Sequence, residues 1–397
     1  MRKILLVAIG IVLMLTGCAP NFQKQEEIVQ DQKNSKEEET AIIPKYKISD
    51  EYYRTILPFK ESQTRGLVVN NLNTKYNLSE FETGLMRVAR NHFDPDTYLF
   101  QEGQYLDKKT VTSWLKRKDS PAQIEEKALK EKKKPKEIDN LGLNPIDDGQ
   151  GSIAERNEKS PIYLAHILEH NYLTVDDNGK GSLSGVVIGL ALNSVHYYQK
   201  EQYGATFETK ISHDVLAAEG KKIGEEIIKR LRTIEGLKEV PITVALFEQA
   251  SKTSVIPGTF FSYAHAGKGS ANLGDWKNID EKYVLFPSNE ATDQHRDDVT
   301  AFSNFKQDVE DYFPNFNGVV GRAFYAGGQL QELNIDIPIQ FYGQTEAIGF
   351  TQFITGKVME HFPDYIAVQV YVSSVLGPEA LVVKDINQKE PFVHIYK

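Results

Sequence analysis

The stretch "LNIDIPIQF" at 333–341 constrains the fold most. Apolar Leu333, Ile335, Ile337 and Ile339 alternate with Asn334, Asp336, Pro338 and Gln340. A period of two lines one face of a strand, whereas a helix would scatter these residues around its circumference. The segment therefore reads as a strand with one buried face, and it needs a sheet and a covering layer. Pro338 cannot donate to a ladder, which predicts an edge position.

This strand belongs to a pattern that reads twice. The first copy begins "LSGVVIGLALNSVHYY" at Leu183. It continues through "ATFETKI", a helix "AAEGKKIGEEIIKRLRTI", and strands "VPITVALFEQA" and "GTFFSYAHA". The second begins "FNGVVGRAFYAG" at Phe316. It continues through "LQELNIDIPIQFYG", a helix "QTEAIGFTQFITGKVMEHF", and strands "YIAVQVYVSS" and "EALVVKDI". Gly185-Val186-Val187 matches Gly318-Val319-Val320, and Gly224 sits in its helix much as Gly349 does. Ile223, Ile227 and Leu231 fall on one helix face, and Gly236 reads as a helix stop. Short turns between adjacent strands favour antiparallel pairing.

The expected fold class is α+β, a tandem repeat of strand–strand–helix–strand–strand modules with mainly antiparallel sheets. Helical sequence precedes the first copy. Ser79 with Glu82 reads as a capping box ahead of "FETGLMRVARNHF", and "VTSWLKRK" and "PIYLAHILEHNYL" follow. The strand "KYVLFP" and the helix "DDVTAFSNFKQDVEDYF" precede the second copy.

The chain opens with Arg2 and Lys3, an apolar run from Ile4 to Leu15, and then Thr16-Gly17-Cys18, which holds the one cysteine. This is the layout of a secretory signal peptide. A helix of about twelve residues is about 18 Å long, short of a hydrocarbon core about 30 Å thick. The expected division is a leader at 1–17, a disordered acidic tether at 18–48, a first module at 49–268 and a second at 275–397. The segment "QKQEEIVQDQKNSKEEET" is too poor in apolar residues to build a core. A charged excursion at 116–151, containing "IEEKALKEKKKPKEIDN", reads as a mobile solvated face. With 40% hydrophobic residues and no cysteine besides Cys18, the body must rest on core packing alone. The formal charge of −9 disfavours nucleic acid and anionic headgroups as partners.

Leu15-Thr16-Gly17-Cys18 resembles the lipobox of bacterial lipoproteins. Together with the acidic tether, "GVVIGLALNS", "GRAFYAGGQLQELNIDIPIQFYGQTEAIGF" and the doubled pattern, it makes the chain resemble the CamS family. These are lipoproteins of Gram-positive bacteria known as sex-pheromone precursors. The resemblance implies cleavage between Gly17 and Cys18, a lipid on Cys18 that holds the protein at the outer face of the cell membrane, and a short apolar peptide released from about Ile11 to Gly17. Two acyl chains give stable attachment where one is marginal.

Other constellations weigh less. "HILEH" fits an H-x-x-E-H string. On a helix His166 and His170 would share a face, and Glu169 would stand beside them as general base of a zinc-dependent hydrolase. The competing reading is an amphipathic helix with its histidines on the flank and no metal. "GSLSG" lacks nucleophile-elbow order, "HAGKGSANLG" lacks phosphate-loop spacing, and "DDNGKGSLSGVV" lacks the twelfth-position Glu of a calcium loop. No cofactor is implied. Most aromatic residues on the strands belong to the core. Tyr263, Tyr325 and Tyr342 are the candidate binding face, a shallow groove for a peptide, glycan or protein partner. The reading is a lipid-anchored surface protein that binds rather than catalyses. The alternatives are the zinc hydrolase and a solute-binding lipoprotein of a transporter.

Overall fold

The computed structural model describes residues 26–31, 38–44, 48–49, 51–313 and 318–396. Gly17, Cys18 and the leader lie outside these residues.

Two sheets organise the chain. The first is entered by β1 (Glu26–Asp31), β2 (Glu38–Ile43) and β3 (Arg54–Thr55), then α1 (Arg65–Asn71), α2 (Lys75–Ala89), β4 (Leu99–Glu102), α3 (Lys108–Trp114), α4 (Pro121–Glu131) and α5 (Ile153–Lys159). The long hairpin β5 (Leu164–Val175) and β6 (Lys180–Asn193) follows, with a small hairpin of β7 (Val195–Gln199) and β8 (Thr206–Lys210). Helix α6 (His213–Leu231), β9 (Ile242–Gln249), β10 (Thr259–Ala266) and β11 (Lys277–Asn278) complete it. Its strand order is β11-β10-β9-β6-β5-β4-β3, with β1 also on β6.

The second sheet is built from β12 (Glu281–Phe286), α7 (Asn289–Gln294), α8 (Arg296–Tyr312), β13 (Val320–Ala326), β14 (Gln329–Pro338), α9 (Gln344–His361), β15 (Ala367–Ser374), β16 (Gly377–Lys384) and β17 (Phe392–Ile395). Its strands lie in chain order. The fold is α+β with mostly antiparallel sheets. The parallel pairs include β6 with β9, which α6 joins, and β14 with β15, which α9 joins.

Strand β6 shows how sequence sets the layers. "VVIGLAL" is apolar at every position because both faces are covered. Val186, Ile188, Leu190 and Leu192 meet α6 and α3, while Val187 and Ala191 meet α2. Gly189 lets α2 approach, since a Cβ there would lie 3.0 Å from Phe81. In the second sheet α8 and α9 share one face, and the inward row Leu333, Ile335 and Ile337 is buried as the alternation predicts. The opposite face carries partly exposed Arg322, Asn334, Asp336, Tyr371 and Leu381.

Five expectations need correction. "PIYLAHILEHNYL" is not helical, because most of it is β5, paired on both sides by β4 and β6. Helix α2 starts earlier than Ser79, because the Thr74 side chain accepts from the Asn77 amide and caps it. Pro338 is not on an edge strand. It ends β14, where the sheet has no further need of its missing amide. The stretch read as a disordered tether contains β1 and β2. Strand β6 extends past the reach of β9, and β1 pairs with its free Lys180–Gly181, so backbone bonds order a segment that is poor in apolar residues. The excursion at 116–151 is tied at its return. Buried Asn144 donates to the carbonyls of Leu115 and Leu164 and accepts from the Leu164 amide.

The doubled pattern also changes register. Strand β8, counted as a unit strand, pairs only with β7 in a separate two-stranded sheet. Gly185-Val186-Val187 therefore lies in β6, the strand that hands over to the crossover, whereas Gly318-Val319-Val320 leads into β13, one strand before it. The two sheets share an order of pairings by another alignment. That order is β5–β6, α6, β9–β10 in one and β13–β14, α9, β15–β16 in the other.

The sheets meet through a charged network. Arg87 of α2 donates Nε and Nη2 to Glu281 of β12 at 2.8 and 2.7 Å. It also pairs with Glu80, which accepts from the Tyr283 hydroxyl at 2.7 Å. Phe324 lies under the guanidinium at 4.7 Å. Removing one partner of a buried pair typically costs about 3 kcal/mol or more, because the other charge stays buried. Arg87→Ala should therefore lower stability by about 3 kcal/mol. Urea unfolding measures this, and an unchanged midpoint would show that the network contributes nothing.

Candidate functional site

A cleft of about 630 Å³ opens where the two sheets join. Its walls come from four places: the first turns of α6, the ends of β9 and β10, and the β11–β12 connection. His213 on α6 bonds Glu248 at the end of β9, Nδ1 to Oε2 at 2.7 Å. Phe261 meets the His213 ring edge-on at 4.8 Å. Lys221 contributes from α6, and Glu281 and Lys282 from β12.

The loop from β9 to β10 is held rigidly. Asn77 of α2 donates to the Ala250 carbonyl at 3.0 Å and accepts from the amides of Ala250 and Gly258 at 3.0 and 2.8 Å. Gly258 is required there, since a Cβ would sit 1.8 Å from the Glu248 carbonyl oxygen. Gln249 is buried and bridges Asn193 and the Asn73 amide. The cleft thus offers paired charges, backbone edges and one aromatic ring on a fixed frame. That chemistry suits recognition of a polar chain.

The H-x-x-E-H residues are structural. On a strand, His166 and His170 stand about 13 Å apart along one face, too far to share an ion. His166 Nδ1 accepts from Asn71 Nδ2 at 3.2 Å, and its ring packs edge-on to Phe81. His170 packs edge-on to Phe100. Glu169 points to the other face. Its carboxylate accepts from the amides of Gln104, Tyr105 and Leu106 at 2.7–3.1 Å and holds the turn after β4. Burial raises its pKa while these amides oppose the rise. The zinc expectation fails because the segment is a strand, with Glu169 fully engaged on the other face.

The three tyrosines do not form a groove. Tyr263 is buried in the core under α2, and Tyr325 in the core of the second sheet, where its hydroxyl donates to Asp298 at 2.7 Å. Tyr342 is 99% exposed on the loop before α9. Strand alternation put two of these rings inside. Among the described residues, the one cluster of three metal-type donors is Asp308, Glu360 and His361. The Lys357 ammonium already sits on it, 3.0 Å from Asp308 and 2.8 Å from Glu360. The cleft itself had no sequence signal, because its residues are scattered from Ser194 to Tyr283 and carry no motif.

The buried histidines fix a pH dependence. Burial pushes His166 down to about 4 and His170 to about 3. An unfolded chain takes up these protons near pH 6.5, so stability from both groups is complete above 6.5 and is lost as pH falls through that value toward 4. His170→Phe keeps the contact with Phe100 and removes one titration. Its urea midpoint should fall less between pH 7 and 4 than that of the parent, by the equivalent of a few kcal/mol. Parallel profiles would show that His170 does not titrate in the unfolding equilibrium.

Residues 59–390 match the family described as CamS sex pheromone cAM373 precursor. No curated protein matches the chain. Solved structures similar to the chain include two sex pheromone precursors. The C-terminal domain of the sex pheromone staph-cAM373 precursor from Staphylococcus aureus is 38% identical with a TM-score of 0.70, the alignment covering 82% of this chain and 98% of that one. The sex pheromone precursor from Lactobacillus salivarius is 32% identical with a TM-score of 0.78, covering 90% and 99%. With a match that spans most of its length and a body shared with both structures, the chain belongs to the CamS family of sex pheromone precursors.

Proposed function

We propose that this CamS protein is held at the outer face of the cell membrane by a lipid on Cys18, that its leader is cut after Gly17, and that its body is a binding unit. The lone cysteine directly after Leu15-Thr16-Gly17 carries the anchoring reading. Such a cut frees the leader Met1–Gly17, and a second cut near Ile11 would leave the peptide from about Ile11 to Gly17 for pheromone use. No helix among the described residues is long and apolar enough to cross a membrane, so the body itself offers no helical span.

The binding role rests on the cleft beside His213 and Glu248, and its partner is a peptide, glycan or protein at the cell surface. No cofactor enters this reading. We read the shared order of pairings around α6 and α9 as two copies of one module, with the cleft at their seam.

Cys18→Ala should move the protein from the membrane fraction to the soluble or secreted fraction. If the variant fractionates as the parent does, the anchor is not Cys18. For the cleft, a photo-crosslinking residue at Lys221 should capture a partner in intact cells, while one at exposed Leu129 on α4 should not. Equal capture at both positions would remove the cleft from the proposal.

A further inference from the structure

A second cavity, of about 90 Å³, lies away from the cleft, between α1, α2, β4 and β5. Its wall is divided. Val68, Met86, Phe100 and Leu168 make an apolar side, and a polar side holds Thr64, Arg65, Glu82, Glu102 and His170, with Ser62 and Glu169 at its margin.

The polar groups are unequally satisfied. Glu102 is fully engaged, accepting from the Ser62 amide at 2.7 Å and from Arg65 Nε and Nη2 at 3.2 and 2.7 Å. Arg65 directs its remaining Nη1 to Glu61 at 3.3 Å, so its donors are turned to carboxylates. Glu82 is different. It is partly buried, and among the described residues it has neither a hydrogen bond nor an ion pair. Burial raises its pKa, the charge of Glu102 adds to the rise, and the charge of Arg65 opposes it. His170 is 2% exposed, and its Nδ1 has no partner among the described residues. Burial keeps this imidazole neutral, so one of its nitrogens is an acceptor. A buried polar atom without a partner costs free energy, and such an atom beside a cavity marks a place for a missing donor.

The cavity therefore presents a carboxylate that receives no hydrogen bond among the described residues, an imidazole acceptor, and the Thr64 hydroxyl, which bonds Ser62 Oγ at 2.9 Å and keeps a lone pair, while the Arg65 donors are spent on Glu61 and Glu102. A ligand that fits must bring several N–H donors, positive charge and a short apolar body. We propose that this cavity binds the ammonium end of a short aliphatic primary amine, with its N–H groups on Glu82, Thr64 and His170 and its carbons on the apolar wall. Phe100 adds an aromatic ring to that wall, which favours a cation. The inference stands apart from the cleft, and its failure would leave that reading intact.

The test is calorimetric titration of the full chain with n-propylammonium chloride at constant ionic strength. Tetramethylammonium chloride, which has charge but no N–H, is the control. Nα-acetyl-lysine amide asks whether the ammonium comes from a polypeptide side chain. Saturable binding of n-propylammonium is expected, without binding of tetramethylammonium. Glu82→Gln should weaken it about tenfold or more. Binding of the lysine derivative as well would assign a side-chain source, and its failure to bind would assign a free amine. Should Glu82→Gln lower the unfolding temperature, Thr64→Val carries the same expectation. The proposal is overturned if neither primary ammonium binds saturably, if tetramethylammonium binds as well as n-propylammonium, or if the folded variant binds as tightly as the parent.

Discussion

The fold depends on how Arg87 is held. Its guanidinium leaves α2 on the first sheet and reaches Glu281 on the opening strand of the second, with Glu80 and Tyr283 closing the circuit. Burial raises the Glu80 carboxyl above its ordinary range, and Arg87 and Tyr283 counter that rise. A buried charge of this kind tolerates few geometries, so it fixes register more than it adds stability. Gly84 belongs to the same arrangement, since a Cβ there would lie 2.6 Å from Glu80 Oε1 and 3.0 Å from Phe260. The cleft follows from this joint, because Glu281 and Tyr283 also line one of its walls.

The two sheets solve burial differently. The first is covered on both faces, and its central strands accept apolar residues at every position. That environment also buries polar groups, and two of them serve the backbone. Glu169 replaces water for three backbone amides of a tight turn, and Asn77 does the same for the loop of the cleft. In the second sheet, α8 and α9 cover one face, and β14 to β16 largely keep their alternation. The Lys384 side chain is the exception on the inner side. Its ammonium reaches the carbonyls of Pro363 and Ile366 at 2.8 and 3.3 Å, and burial lowers its pKa.

For function, the structure redistributes weight. The string that looked most chemical, His166 to His170, is part of the scaffold. The proposed interaction chemistry rests instead on groups that sequence gives no reason to associate: His213, Lys221, Glu248 and Lys282 in the cleft, and Glu82 with Thr64 at the second cavity. Tyr263 and Tyr325 leave the surface for the cores, and Tyr342 alone of the three remains outside.

The sequence by itself determined what depends on neighbours along the chain. Alternation at Leu333, Ile335 and Ile337 specified a half-buried strand, and the spacing of Ile223, Ile227 and Leu231 specified the buried face of α6. The ordered motifs specified the family. Local period could not separate helix from strand in "PIYLAHILEHNYL". Both faces are buried there and polar His166, Glu169, His170 and Asn171 are interleaved with apolar residues, so the periodic signal vanishes and only pairing with β4 and β6 decides. Pairing order and parallel sense were likewise set across long loops, so the doubled pattern in the sequence does not map strand for strand onto the two sheets. The cleft and the second cavity exist only once distant elements meet. Their residues are brought together by packing and by the Arg87 joint, forces that act between segments and leave no mark on local spacing.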